Sequence, residues 1–322
     1  MTSNNVHKAC FQLTMKLKPL AILLLLILAV HTTHTMASSC SGQGVWLQVL
    51  GSGGPEIDDG RASSGYLVWQ DGRARVLVDM GSGSLSRFEQ SKAALNDLDI
   101  ILLTHLHVDH SNDLPALIKG SFFTRRDRDL PIYGPTGNHL MPSMTAFIEG
   151  LFGEKGAFRY LKDYVDGSGR YRIVSGNVAT GAKRVSGVLE KDGIKVSAIS
   201  VDHGPIPALA WRLDIDGSSV VFSGDISNKK NSLWRLAQQA DVLVAHHAIA
   251  EHANPVARNL HMPPSEIGKI AGRAGVKALV LSHRMKRTLG KETESLAIIR
   301  EHYQGPVTFA DDLQCFDLLQ DK

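Results

Sequence analysis

Residues 104–110 read THLHVDH and follow LDIILL, an apolar run of strand length at 98–103. No other stretch constrains the fold as much. The strand must end here, and the chain must then turn so that His105, His107, Asp109 and His110 can face a common region. On extended chain, residues i and i+2 point the same way, so His105 and His107 can grip one ion. After the turn, Asp109 and His110 can face a second ion beside it. Imidazole and carboxylate are ligand types that zinc takes. A lone histidine is usually a surface or core residue, whereas four such groups after a buried strand form a specific pattern.

Two ions need more ligands than this segment holds. The chain offers three, each at the end of an apolar run. His203 lies in VDHGP after KVSAISV, Asp225 closes VVFSGD, and His283 closes LVLSH. Three protein ligands per ion leave room for a shared attacking water if Asp225 bridges both, an arithmetic that suits two-metal hydrolysis.

The remaining pattern is layered. VWLQVLGSGGP (45–55) reads as a strand entering a glycine-rich turn. Residues 63–81 and 208–225 read as hairpins turning on Asp71-Gly72 and Asp216-Gly217. DVLVAHH (241–247) and VKALVLSH (276–283) are strand-like, and PSEIGKIAGRAG (264–275) is a helix stopped by Gly275. Strands mixed with helices indicate an α/β or α+β layered fold. Residues 141–182 mix aromatics, glycines and charges, and suit a helix with a flap or a surface excursion.

The first 37 residues contain Lys8, Lys16 and Lys18 and no acidic residue. Lys16 and Lys18 precede PLAILLLLILAV, and HTTHTMASS follows. A basic start, a short apolar run and small residues describe a secretory signal over 1–37, cleaved after Ala37, with Met15 as the working initiator. The apolar run is shorter than the roughly 20 residues a bilayer span needs, so no membrane span is expected once the signal is removed. A lipid anchor at Cys40 is the lesser alternative to a secreted or periplasmic protein. Without the segment, the 35 basic residues fall by three to 32, matching the 32 acidic ones. A neutral chain gives no general reason to expect nucleic acid as a partner. Cys40 and Cys315 remain, and an oxidising compartment would allow them to pair.

Taken together, the motifs resemble the metallo-β-lactamase superfamily hydrolases, within them the branch of the tRNA 3′-processing endonuclease (RNase Z) and the arylsulfatases. LGSGGP, Asp79 in LVDMGSG, THLHVDH and YGPTG (133–137) match that branch in order. So do VDH around His203, FSGD around Asp225, and His261 and His283 flanking a helix and a strand, across nearly all of 46–315.

The resemblance implies an α/β, four-layer αββα sandwich as a single domain over 38–322. It also implies two Zn²⁺ ions, with Mn²⁺ or Fe²⁺ as alternatives. His105, His107 and His203 would hold one ion, and Asp109, His110 and His283 the other, with Asp225 between them. Asp79 would orient a ligand histidine, and Asp109 and His261 would be catalytic, His261 facing the scissile group.

Two departures bear on the substrate. RNase Z carries His-Glu-Ala-Thr where this chain has AHHAI (245–249), so His246 or His247 stands where a glutamate would partner His261. The long tRNA-gripping insertion of the bacterial type is replaced by Asp216-Gly217. The expectation is therefore an exported hydrolase of small phosphodiesters or sulfate esters, using a water shared by the metals. Lactone or β-lactam hydrolysis, tRNA 3′-processing and a non-catalytic zinc protein are the alternatives. His139, His252 and His302 read as surface residues.

Overall fold

The computed structural model describes residues 40, 42–181 and 184–318. The expected signal at 1–37 lies outside the described residues. Among the described residues, fourteen strands form two sheets. They are β1 (Val45–Gly51), β2 (Gly65–Gln70), β3 (Arg73–Met80), β4 (Ile100–Leu102), β5 (Leu130–Pro135) and β6 (Ile173–Val178), followed by β7 (Ser186–Lys191), β8 (Ile194–His203), β9 (Ile206–Ile215), β10 (Ser218–Phe222), β11 (Val242–His246), β12 (Ala278–Ser282) and β13 (Val307–Phe309). The last, β14 (Cys315–Asp317), returns to the first sheet, giving the orders β14-β1-β2-β3-β4-β5-β6 and β13-β12-β11-β10-β9-β8-β7.

Alternation along the strands explains the layering. In β3, Ala74, Leu77 and Met80 join one apolar cluster while Val76 and Val78 join another. In β11, Val242 and Val244 face that second cluster while Leu243 and Ala245 face a third. The second cluster lies between the sheets. The first and third lie under helices, so the central strands are buried on both faces and read as near-continuous apolar runs, whereas β6, β7 and β13 at the sheet edges are partly exposed. Helices α1 (Ser84–Gln90), α2 (Val108–Ser111), α3 (Leu114–Ser121), α4 (Met144–Phe152) and α5 (Asp163–Asp166) fall between strands of the first sheet. Helices α6 (Leu233–Leu236), α7 (Pro255–Leu260), α8 (Pro264–Ala274) and α9 (Glu292–Arg300) fall between strands of the second. The result is the αββα sandwich the motifs implied.

Of the two readings left open for residues 141–182, the described part, 141–181, holds the helix. Met144, Ile148 and Phe152 repeat every four residues along α4 and are buried against the first sheet. Ser143 caps the helix by accepting from the Ala146 N–H at 3.2 Å. The chain then passes through a 3₁₀ turn (Arg159–Leu161) and α5 into β6, which pairs in parallel with β5. The aromatics that obscured the pattern, Tyr164 and Tyr171, are core residues. Helix α8 begins at Pro264 and ends where Gly275 adopts φ +64°. Cys40 and Cys315 form a disulfide with Cα atoms 5.4 Å apart, tying the start of the described chain to β14.

Candidate metal centre

Parallel strands place the ligands. β3, β4 and β5 run parallel, as do β10, β11 and β12, and side chains that follow the carboxyl ends of parallel strands gather at one rim. His105 and His107 follow β4, and Asp109 and His110 lie on α2. His203 ends β8, Asp225 follows β10, and His283 follows β12 directly. Asp79 and His283 both hold positive φ, 54° and 52°, in a region that non-glycine residues seldom occupy. Such backbone costs of order 1–3 kcal/mol per residue and persists where surroundings over-determine it.

The structure brings all seven expected ligands together. Nε2 of His105 lies 3.0 Å from Nδ1 of His107, which lies 3.3 Å from Nε2 of His203. Oδ2 of Asp225 stands 3.5 Å from His203 Nε2 and 3.9 Å from His105 Nε2. Across Asp225, Oδ1 lies 3.3 Å from His283 Nε2, and Oδ2 lies 3.8 Å from His110 Nε2. Asp109 Oδ2 completes this side at 3.2 Å from His283 Nε2 and 3.5 Å from His110 Nε2. Ligand atoms around a tetrahedral zinc with ordinary bond lengths stand ~3.3 Å apart. The donor spacings match such polyhedron edges, and the residues fit two ions sharing Asp225.

Outer partners fix which nitrogen faces inward. Nδ1 of His105 donates to Thr104 Oγ1 at 3.1 Å, Nδ1 of His203 to the Leu260 carbonyl at 2.9 Å, and Nδ1 of His110 to Asp79 Oδ2 at 2.8 Å. Each leaves Nε2 for an ion. Nε2 of His110 is buried with no hydrogen-bond partner, as a metal-facing nitrogen would be. Burial pushes His105 well below the usual imidazole range, with the neighbouring His110 and His203 adding to it, so this ring is neutral. Burial would raise Asp225, but the imidazoles around it, His283 foremost, hold it well below the usual carboxylate range.

The glycine-rich turn after β1 packs against this centre. The Arg284 N–H donates to the Ser52 carbonyl at 2.7 Å, joining the turn to the end of β12. A Cβ on Gly54 would lie 2.8 Å from Cε1 of His283, and one on Gly81 would lie 2.0 Å from the Asp109 carbonyl oxygen. Both positions need glycine for closeness of approach.

The remaining expected residues divide. Asp79 sits beneath His110. His246 donates from Nδ1 to Asp225 Oδ1 at 2.8 Å, and its Nε2 is 3.1 Å from the Tyr66 hydroxyl. His246 stands within ligand range of His110, Asp225 and His283, but both its nitrogens are engaged by protein, which suits a support for Asp225, and Asp109 Oδ2 is the free donor on this side. His247 does not reach the ligands. Its Nε2 is 2.9 Å from Ser295 Oγ, and its ring packs on Phe309. Strand alternation turns it away from His246. His261 follows α7 with its ring centroid 5.5 Å from His203 and 5.7 Å from His283. Its Nδ1 is buried without a hydrogen-bond partner, 3.8 Å from Asp225 Oδ1. Neither AHHAI histidine takes the place of a carboxylate partner to His261.

Two contributors went unread in the sequence. Tyr66 lies in β2, within the first hairpin. Arg287 lies in RMKR, which resembles a solvated basic loop. Its Nε donates to the Ala248 carbonyl at 2.5 Å. Burial sets His261 at about 4, and the Arg287 charge contributes to that lowering.

Comparison with known proteins agrees with this geometry. Residues 74–284 match the Beta-lactamase superfamily domain. The chain is 30% identical over 280 residues to a protein named ribonuclease Z from Mycobacterium bovis (strain BCG / Pasteur 1173P2), covering 83% of this chain and 96% of that one. Among solved structures, the short form of human tRNase Z superposes with a TM-score of 0.67 at 19% identity, covering 85% of this chain and all (100%) of that one. The metallo-β-lactamase fold protein YhfI from Bacillus subtilis gives 0.63 at 24% identity, covering 84% and 98%. At these identities the structures speak for the fold alone.

Proposed function

Because the chain belongs to the β-lactamase superfamily and is a metal-dependent hydrolase, we propose that its centre holds two zinc ions and hydrolyses phosphodiesters. The observation that carries this reading is Asp225, whose carboxylate lies between both ligand groups while His261 stands beside it. When bound, a pair of divalent ions supplies Lewis acidity and an attacking water of lowered pKa, and can hold both oxygens of an in-line displacement.

The chain's own residues do the rest. Asp225 and Asp109 hold the donors in register and offer carboxylate oxygens toward a proton. His261, neutral at ordinary pH, presents its ring to the leaving side, where it can donate a hydrogen bond to charge developing on oxygen. Arg287 adds a positive charge that favours an anionic diester.

The substrate is proposed as a small phosphodiester. An RNA 3′ end is the second reading, favoured by relatives named ribonuclease Z. Export is proposed with it, supported by the Cys40–Cys315 disulfide, since such bonds persist in oxidising compartments. The test is turnover by the zinc-loaded chain of bis(4-nitrophenyl) phosphate, 4-nitrophenyl sulfate, a chromogenic lactam and a precursor tRNA. Phosphodiester cleavage that drops on the order of 10²–10³-fold in His261→Ala supports the reading, that being the scale for one charge-stabilising group. Brisk lactam turnover with both esters untouched overturns it, and efficient precursor-tRNA cleavage selects the second reading.

A further inference from the structure

The lobe beyond the ligand loop carries exposed apolar residues that the proposed chemistry does not use. Val108, Phe122, Phe123, Phe158 and Tyr160 are all exposed there. A cavity of about 430 Å³ lies among the end of α3, the 3₁₀ turn and the stretch from α5 to β6, which is room for a small molecule. Lys119, Arg126 and Arg170 line it, against the single carboxylate of Asp163.

None of the three cations forms an ion pair among the described residues. The Lys119 ammonium sits over the rings of Phe122 and Phe123, 4.5 and 5.2 Å from their centroids. Arg170 donates to the Thr124 carbonyl at 2.7 Å. Arg126 is only 2% exposed, yet it meets the carbonyls of Leu95, Leu98 and Asp129 in place of a carboxylate, and its Nε has no partner. A buried guanidinium without a counter-ion is costly, so the cavity favours an incoming anion.

The cavity also adjoins the segment that carries the ligands. Lys119 and Tyr160 line a second, more apolar groove of about 570 Å³ that reaches Leu106 and Val108. Leu106 lies between the ligands His105 and His107, and Val108 between His107 and Asp109. The groove follows α3, whose eight residues span about 12 Å.

We propose that the Lys119–Arg126–Arg170 cavity binds a carboxylate or phosphate carried on an aromatic or apolar arm, and that the groove makes it a distal subsite for an ester reacting at the metals. The second half of this proposal rests on the phosphodiesterase reading. Such a substrate is a small molecule whose anionic group stands apart from its scissile ester on an apolar arm.

Two measurements test it. Calorimetric titration of the metal-loaded chain with 2-naphthoate and with 2-naphthylphosphonate distinguishes carboxylate from phosphate chemistry, with neutral 2-naphthamide as reference. The anions should bind at least tenfold tighter than the amide, and Lys119→Ala and Arg170→Ala should each lose that advantage, whereas Asp109→Ala at the metal centre should keep it. Affinity equal for anion and amide, or unmoved by both cavity substitutions, overturns the site. The second measurement is a kcat/KM ratio, for a 4-nitrophenyl diester with a carboxylate-ended arylalkyl arm over bis(4-nitrophenyl) phosphate. That ratio should fall at least tenfold in the same two variants. An unmoved ratio with binding intact overturns the link to the metals. A short oligoribonucleotide whose binding needs Lys119 and Arg170, where naphthoate binding does not, overturns the small-molecule occupant. Neither diester being turned over counts against the phosphodiesterase reading alone, and the titration still decides the cavity.

Discussion

Oδ2 of Asp79 accepts a 2.8 Å hydrogen bond from Nδ1 of His110, and both side chains are wholly out of solvent. The same carboxylate accepts from the Thr104 N–H at 2.7 Å and the Thr104 hydroxyl at 2.8 Å. One strained residue at the end of β3 thus sets both the start of the ligand loop and the ring of its last histidine. Asp79→Ala should weaken metal binding on the His110 side by 10–100-fold, the usual scale for a group that orients a ligand. Zinc titration against a competing chelator would show this, and undiminished affinity on that side would remove Asp79 from the centre.

Asp225 reaches both ligand groups, so its loss should be felt twice. The chain should hold about two zinc ions, and Asp225→Ala should lose affinity for both, as expected of a carboxylate shared in a two-metal site. His246→Ala, which removes only the 2.8 Å support behind Asp225, should weaken binding less. Elemental analysis after dialysis gives the counts. Full occupancy in Asp225→Ala would exclude the shared role.

The ligand rim was legible because the pattern repeats. IILL, VVFS and ALVLS are each buried on two faces, so an imidazole or carboxylate just past their ends stands out. What stayed hidden has physical reasons. His246 and His247 are adjacent in AHHAI, and only strand alternation separates the one behind Asp225 from the one at Ser295. Arg287 carries no spacing signal of its own. In the α4–β6 stretch, glycines and charges among the aromatics left a helix and a surface excursion both open, and the cations of the neighbouring cavity are brought together by tertiary packing alone.

The disulfide closes nearly the whole described chain, with Cys40 and Cys315 separated by 275 residues. Cross-links over long loops remove much entropy from the unfolded chain, and a native bridge typically contributes about 2–5 kcal/mol. Cys40→Ser with Cys315→Ser should shift the denaturant midpoint down by that order. Reductant should shift the native sequence equally and leave the double variant unmoved. Identical midpoints for the oxidised and reduced native chain would show that the bridge carries no stability.

His247 supplies a pH dependence separate from the metals. Burial holds its imidazole at about 4, the nearby Arg284 charge adding to the lowering, whereas the unfolded chain titrates near 6.5. Between those values the unfolded state binds the extra proton, so stability is complete above about pH 6.5 and is lost as pH falls toward 4. His247→Gln, able to keep a bond to Ser295, should flatten the stability curve across that window by up to about 1.4 kcal/mol per pH unit, one proton's worth. Denaturation at several pH values for both proteins measures the difference. Parallel curves would mean that His247 is hydrated in the folded protein.

Gly54 tests how closely the glycine-rich turn shapes the centre. Its Cα faces the His283 ring, and a methyl group there would meet Cε1 at 2.8 Å and Nδ1 at 3.2 Å. His283 cannot retreat easily, because its backbone already holds φ 52° and the next residue's N–H is bonded to Ser52. Gly54→Ala should therefore displace the ring and weaken the ion held by Asp109, His110 and His283, while the ion held by His105, His107 and His203 stays. The expected product is a chain near one zinc with an unchanged thermal midpoint in excess metal. Two zinc ions and undiminished hydrolytic activity in Gly54→Ala would show that the turn yields and that closeness at this glycine does not govern the site.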